Sequence, residues 1–232
     1  MEAIVLAAGD GERMGDLAKD KPKHLIKVIK DTAIIDYPMK ILLDSTNISR
    51  IILNVKEKYK NDFAKRFGDG TDKIKIDYNT DFRPRILDAL KNNVDKLNGD
   101  TFILIFGDTI MDVAIDKIID FYNLNEGRYN IVILNPKTYQ SIVAKTNKGI
   151  IKSLFTKKVN SYNICGMILN KNDINWNGKG DDLEMIYSDL TKKRKLKAYK
   201  FFGYYKNINE YKDIVEVKDD IISGKVSISW IS

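Results

Sequence analysis

Apolar residues in this chain recur in two rhythms. Short unbroken runs, Ile4-Val5-Leu6-Ala7-Ala8 and Thr101-Phe102-Ile103-Leu104-Ile105-Phe106, are rich in β-branched residues and are closed by Gly and Asp, the pattern of strands buried on both faces. Between them, Ile34 to Ser45, Tyr59 to Phe67 and Ile86 to Leu97 carry apolar positions at helical spacing. Pro38 falls near the first turn of the first, where proline is tolerated, and Gly68-Asp69-Gly70 stops the second. Arg50 to Val55 and Lys73 to Tyr78 read as further strands, Ala114 to Tyr122 as a helix and Asn130 to Leu134 as a strand. Strand and helix alternating in this way predict an α/β fold with a doubly wound, mostly parallel, Rossmann-like sheet.

The rhythm then changes. Ile142 to Lys145, Ile150 to Phe155 and Asn163 to Leu169 are predicted as short strands joined by turns such as Asn147-Lys148-Gly149. Leu183 to Thr191 follows as a helix, Lys197 to Phe202 as a strand and Tyr211 to Ile222 as a last helix. This second half reads as a small, partly antiparallel extension. No Gly/Ser/Pro-rich linker divides the chain, so residues 1–232 are expected to form a single domain. Its nucleotide part is expected over about 1–110 and its acceptor part over about 111–232. No hexapeptide repeat occurs, so no β-helix domain is expected.

Composition narrows the classes. With 44% hydrophobic and 31% charged residues in 232, the chain can bury a substantial core. Its apolar runs are too short for a membrane span, and Glu2, Asp10 and Glu12 argue against a signal peptide. The single Cys165 excludes an internal disulfide, fits a cytoplasmic setting and suits a small buried hydrophobe. The net charge of +7 suits anionic ligands, but the densest basic run, Thr191 to Lys195, has no interleaved aromatics. A solvated helix end fits that run better than a nucleic-acid site.

The chemistry concentrates where the first strand ends. Gly9-Asp10-Gly11-Glu12-Arg13 lets the backbone turn tightly and present amides to phosphate oxygens. Arg13, Lys21 and Lys23 place cations around the same concavity, and Pro22 restricts the chain between the two lysines. A dinucleotide fingerprint would need glycine at Met14, and a Walker loop would need Lys and Ser or Thr after Gly15. A solvated surface loop explains the two glycines alone, but not the added Arg13 and Lys-Pro-Lys at fixed offsets. The stretch therefore reads as a triphosphate cradle.

Leu6-Ala7-Ala8-Gly9-x-Gly11-x-Arg13, followed by Lys21-Pro22-Lys23-x-Leu25-x-x-Val28, resembles the nucleoside-diphosphate-sugar pyrophosphorylases, the sugar-1-phosphate nucleotidyltransferases. Glu12 departs from the threonine usual before the arginine. Methylerythritol-phosphate cytidylyltransferases share the opening, but the Lys19-to-Lys23 approach and Leu25-x-x-Val28 are closer to the sugar-phosphate branch. The resemblance implies in-line attack by an acceptor phosphate on the α-phosphorus of a nucleoside triphosphate, with pyrophosphate leaving. Leu6, Ala8, Gly9, Gly11, Arg13 and Lys23 then bind nucleotide, with Arg13 and Lys23 acting on the phosphates.

Other positions are matched less closely. Asp108, after the most apolar strand, fits either a helix cap or a Mg²⁺ ligand; Phe106-Gly107-Asp108 is similar to the family's Gly-Asp metal motif. Tyr205-Lys206-Asn207 stands where the family carries a second metal aspartate, so Asn207 is either a Mg²⁺ ligand or a turn residue. Thr156-Lys157-Lys158 replaces the family's Glu-Lys-Pro before a strand containing Gly166. That makes Thr156, Lys157 and Gly166 acceptor candidates, with Lys157 equally readable as a surface lysine. Asn79 opens the stretch that reads the base in relatives, and fits either that role or a strand end. His24 is expected to pack or to line the rim.

The expected activity is Mg²⁺-dependent NDP-sugar synthesis by a monomer or homodimer with a nucleoside triphosphate and a phosphorylated small molecule as partners. A cytidylyltransferase for a polyol phosphate such as inositol 1-phosphate is the alternative. A non-catalytic paralogue that senses nucleotide sugars is the reading from another class.

Overall fold

The computed structural model describes residues 1–9, 11–80, 85–147, 150–177 and 182–226, with side chains described for these except 138–147, 150–160 and 182. In chain order the elements are β1 (Glu2–Leu6), β2 (Lys27–Ile29), β3 (Thr32–Ala33), α1 (Asp36–Leu43), β4 (Arg50–Asn54), α2 (Lys60–Phe67), β5 (Lys75–Asn79), α3 (Ile86–Val94), β6 (Thr101–Phe106), β7 (Thr109–Met111), α4 (Ile115–Leu124), β8 (Asn130–Asn147), β9 (Ile150–Asn170), α5 (Asp182–Lys192), β10 (Leu196–Lys200), β11 (Tyr205–Asn207) and α6 (Tyr211–Ile222). Seven strands form one sheet in the order β10-β8-β9-β6-β1-β4-β5. β6, β1, β4 and β5 run parallel, β10 runs parallel to β8, and β9 is antiparallel to both its neighbours. The expected mostly parallel sheet with antiparallel additions is the one observed.

The unbroken apolar runs follow from burial on both faces. Ala3 and Val5, with Ile51, Leu53, Ile103 and Ile105, pack beneath α1, α2 and α4. Ile4, Ile52, Phe102 and Leu104 face the other way, against α3 and α5. Alternate residues of one strand thus serve two cores, and no position in the run can be polar. A third, smaller cluster joins Met14, Ile26 and Ile34 to Ile110 of β7, Ile208 and Val217 of α6. It fastens the segment after β1 to the β7–β11 pair, which sets the geometry of the site.

One stretch differs from the sequence pattern. The three short strands expected between Ile142 and Leu169 are parts of two long ones, paired from Ile131↔Ile168 to Asn147↔Ile150. Polar residues there looked like turns, but a ribbon that leaves the sheet can carry polar side chains on both faces without breaking its ladder. Lys148 and Gly149, expected in the turn, lie outside the described residues.

Candidate active site

The parallel strands end in one row. Asn79, Asn54, Leu6 and Phe106 are register partners at the carboxyl edge of β5, β4, β1 and β6. The chain winds from β1 outward through β4 and β5, then crosses to β6 on the other side. Ligands in open α/β sheets bind at such a reversal. A cavity of about 190 Å³ opens there, lined by Leu6, Ala8, Gly9, Lys23, His24, Asn54, Ile86, Ala89, Phe106 and Asp108.

Lys23 is fixed from several sides. It opens a short 3₁₀ turn after Pro22, and its carbonyl accepts from Ile26 N at 3.0 Å. The side chain is buried, with Nζ 2.6 Å from Asp108 Oδ2 and 3.3 Å from the Ile208 carbonyl. Gly11 makes this route possible: its φ is 69°, and a Cβ there would stand 2.7 Å from Lys23 Cβ. Only glycine holds that backbone without strain while leaving the lysine its path. A buried ammonium is costly without a partner, and here the Asp108 carboxylate neutralises it.

Asp108 and Asn207 come from segments nearly a hundred residues apart and meet along one seam. Ile208 N donates to the Asp108 carbonyl at 2.8 Å, and Asn207 pairs in register with Thr109. Asn207 Oδ1 is buried without a hydrogen-bond partner. A lone buried acceptor is destabilising unless something positive reaches it. From these adjoining strand ends Asp108 supplies a carboxylate and Asn207 an unmet amide oxygen, hard-oxygen donors of the kind Mg²⁺ takes, so the residue types fit the metal the resemblance implies. Among the described residues, no group of three or more His, Cys, Asp and Glu offers a metal site.

A larger cavity, about 720 Å³, lies across the seam. Asn207 lines it together with Asn135, Pro136, Lys137, Tyr162, Asn163, Ile164, Tyr205, Lys206, Asn209 and Asp213. Its one described carboxylate, Asp213, is already occupied. Asp213 Oδ2 accepts from Asn209 N at 2.8 Å and Glu210 N at 3.0 Å, and Lys206 Nζ lies 3.3 Å from Oδ1. The Asn135 amide donates to the carbonyls of Phe201 at 3.3 Å and Gly203 at 3.0 Å.

His24 is 2% exposed, and its carbonyl accepts from Ile35 N at 2.9 Å. Burial pushes its imidazole down to about 4, with Asp108 opposing that shift and Lys23 reinforcing it. The ring is therefore neutral at ordinary pH, and its Nδ1 has no partner.

Of the expected nucleotide residues, Leu6, Ala8, Gly9, Lys23 and Asp108 meet in the smaller cavity, with Gly11 behind Lys23. Arg13 and Lys21 are exposed and do not line it. Asn79 is placed differently. It is buried, its amide donates to Asn93 Oδ1 at 2.9 Å, and Lys96 bonds its oxygen. Its neighbour Asn54 is the amide that lines the cavity, held by a bond to the Asn79 carbonyl at 3.1 Å. Residues 81–84 of the expected base loop lie outside the described residues.

Gly166 is also placed differently. A Cβ there would meet Ile105 Cδ1 at 2.7 Å and the Leu104 carbonyl at 2.8 Å, so this glycine admits β6 and lines neither cavity. Thr156 and Lys157 pair with Ile142 and Ser141 in the ribbon, and their side chains lie outside those described. Sequence reasoning missed Asn54, Ile86 and Ala89 as lining. Asn54, a polar residue closing the apolar run Ile51-Ile52-Leu53, was the available signal.

A profile of the nucleotidyl transferase family matches residues 2–157. The bifunctional protein GlmU of Methanococcus aeolicus is 26% identical over 240 residues, covering 97% of this chain and 55% of the relative. The chain spans about half the length of the first curated relatives it matches. Among solved structures, a Bacillus anthracis protein assigned as a glucose-1-phosphate thymidylyltransferase superposes with a TM-score of 0.75 at 18% identity, covering 94% of each chain. The inositol-1-phosphate CTP transferase of T. maritima does so with a TM-score of 0.64 at 17% identity, covering 97% of each. These likenesses establish the fold.

Proposed function

Because this chain belongs to the nucleotidyl transferase family, we propose that it transfers a nucleoside monophosphate from a nucleoside triphosphate to a sugar 1-phosphate, releasing pyrophosphate and forming an NDP-sugar. The observation that carries this reading is the seam at Asp108 and Asn207, with a half-apolar cavity on one side and an amide-ringed chamber on the other. An acceptor phosphate in the larger chamber attacks the α-phosphorus of a nucleotide in the smaller one. Such chemistry is mainly positioning and charge stabilisation.

Lys23 leaves Asp108 for the α-phosphate, whose negative charge grows during transfer. Arg13 and the amides after β1 meet the departing pyrophosphate. Asp108 and Asn207 hold Mg²⁺, which when bound supplies positive charge to the phosphates. Lys157, on the β8–β9 ribbon, is the candidate for binding the acceptor phosphate. About residues 1–110 serve the nucleotide and about 111–232 the acceptor, as two parts of one domain.

A second reading, transfer of CMP to a polyol phosphate such as inositol 1-phosphate, is favoured by one observation. The only described carboxylate in the acceptor chamber is spent on a helix cap and Lys206, and Thr156 stands where sugar-binding relatives carry glutamate. Pyrophosphate release with each of five nucleotides against a panel of sugar 1-phosphates and polyol phosphates tests both. One nucleotide with one sugar 1-phosphate is expected to stand out. A polyol phosphate with CTP would select the second reading. Nucleotide binding without release from any pair would leave a sensor.

A further inference from the structure

The neutral His24 has no part in the roles above, although it lines the nucleotide cavity and carries an unmet hydrogen-bonding nitrogen. Its place is well fixed. A Cβ built on Gly9 would stand 3.8 Å from His24 Cε1 and 3.9 Å from Lys23 Cε, so ring and lysine lie side by side over the glycine turn. Lys23 already supplies the positive charge that a phosphate needs there. The uncharged ring beside it has one N–H and one lone pair, which matches a group able both to give and to accept a proton. A hydroxyl is such a group; a phosphate oxygen only accepts.

The remaining walls say which hydroxyl. Leu6, Ala8, Ile86, Ala89 and Phe106 give the cavity an apolar side suited to a base, while Lys23 and Asp108 mark its phosphate end. The pentose joins those two parts of a nucleotide. We infer that His24 is a specificity-determining residue, its free ring nitrogen hydrogen-bonded to a pentose hydroxyl of the bound nucleoside triphosphate. Rotation about the soft χ2 torsion turns that nitrogen toward the cavity. The main chain, held by the Ile35 bond, stays in place. An unmet buried nitrogen is thereby satisfied only when a nucleotide is present, so the resting cost returns as affinity.

The inference rests on the proposed nucleotide site and is tested so that the two fail differently. Calorimetry with Mg²⁺ measures binding of ATP, CTP, GTP and UTP and of their 2′-deoxy and 3′-deoxy forms, beside pyrophosphate release. For the tightest-binding nucleotide, loss of one of the two hydroxyls is expected to weaken binding about tenfold, the scale of one hydrogen bond. His24→Phe, which fills the space without a nitrogen, is expected to bind both forms alike and to raise the nucleotide KM more than it lowers kcat. His24→Asn is expected to recover part of the discrimination. Equal binding of all forms by the wild type overturns the inference, as does full discrimination in a folded His24→Phe. Discrimination without pyrophosphate release would instead overturn the transferase reading and leave this one standing.

Discussion

On the Gly9 side of the seam the cavity is small, with an apolar floor and a buried Lys23–Asp108 pair already in contact. On the Asn207 side the chamber is nearly four times larger, ringed by amides, tyrosines and the lysines Lys137 and Lys206, and its described carboxylate is spent. The first is built on strand ends of the parallel sheet, clamped by two cores. The second is built on the antiparallel part, where β8 and β9 leave the sheet. The rigid side holds charges in a preset geometry; the open side offers hydrogen-bonding partners that suit a polyhydroxylated guest. A chemistry common to a family belongs on the first, and the choice of acceptor on the second.

Mutations should divide along that line. Asp108→Asn removes the carboxylate of the seam and is expected to lower kcat about a hundredfold or more, the scale of losing a preorganised charge contact. A loss below tenfold in steady-state assays would place the chemistry elsewhere. Lys23→Ala is expected to cut turnover at saturating nucleotide by more than about tenfold. The thermal midpoint should move little, because the Asp108 side chain keeps 22% exposure and water can replace its partner. Full turnover in that variant would contradict the cradle.

Stability against pH probes the same side. His24, the chain's only histidine, has its folded value near 4, below the ordinary 6.5. Its contribution is therefore complete above about pH 6.5 and is lost as pH falls toward 4, to a total of about 3 kcal/mol. Urea midpoints should drop across that window in the wild type and stay flatter in His24→Phe. Parallel curves would mean that the ring charges freely in the folded state.

Gly166→Ala sharpens the contrast from the acceptor side. Overpacking against Ile105 and the Leu104 carbonyl is expected to cost about 1–3 kcal/mol of stability while leaving the acceptor KM near its wild-type value. A selective rise in acceptor KM without destabilisation would return Gly166 to the acceptor site.

The same division separates what could be read along the chain from what could not. The runs at Ile4 to Ala8 and Thr101 to Phe106 disclosed the sheet because burial on both faces forbids polar residues. Gly11 and Lys23 were legible because a left-handed backbone and a buried cation leave few alternatives. The long β8–β9 ribbon was not legible, since its polar residues break the apolar alternation from which a strand is read. Asn79 and Gly166 lie away from the cavity linings for a related reason. Each has the residue type of a binding position, but Asn93, Lys96 and Ile105 come from other elements, and their approach is a tertiary fact. Asn207 was singled out by the family motif alone; the short strand β11 that pairs it with Thr109 carries no pattern of its own.

The central claim is that Asp108 and Asn207 form one seam at which a nucleotide draws Lys23 away and a divalent ion takes its place. A crystal structure with nucleoside triphosphate and Mn²⁺, located by its anomalous signal, tests this most directly. The account predicts a Mn²⁺ peak within ordinary ligand distance of both Asp108 and Asn207 Oδ1, with Lys23 Nζ moved from the carboxylate to a phosphate oxygen. A nucleotide bound in the cavity with the 2.6 Å Lys23–Asp108 contact intact, and Mn²⁺ away from Asn207, would contradict it.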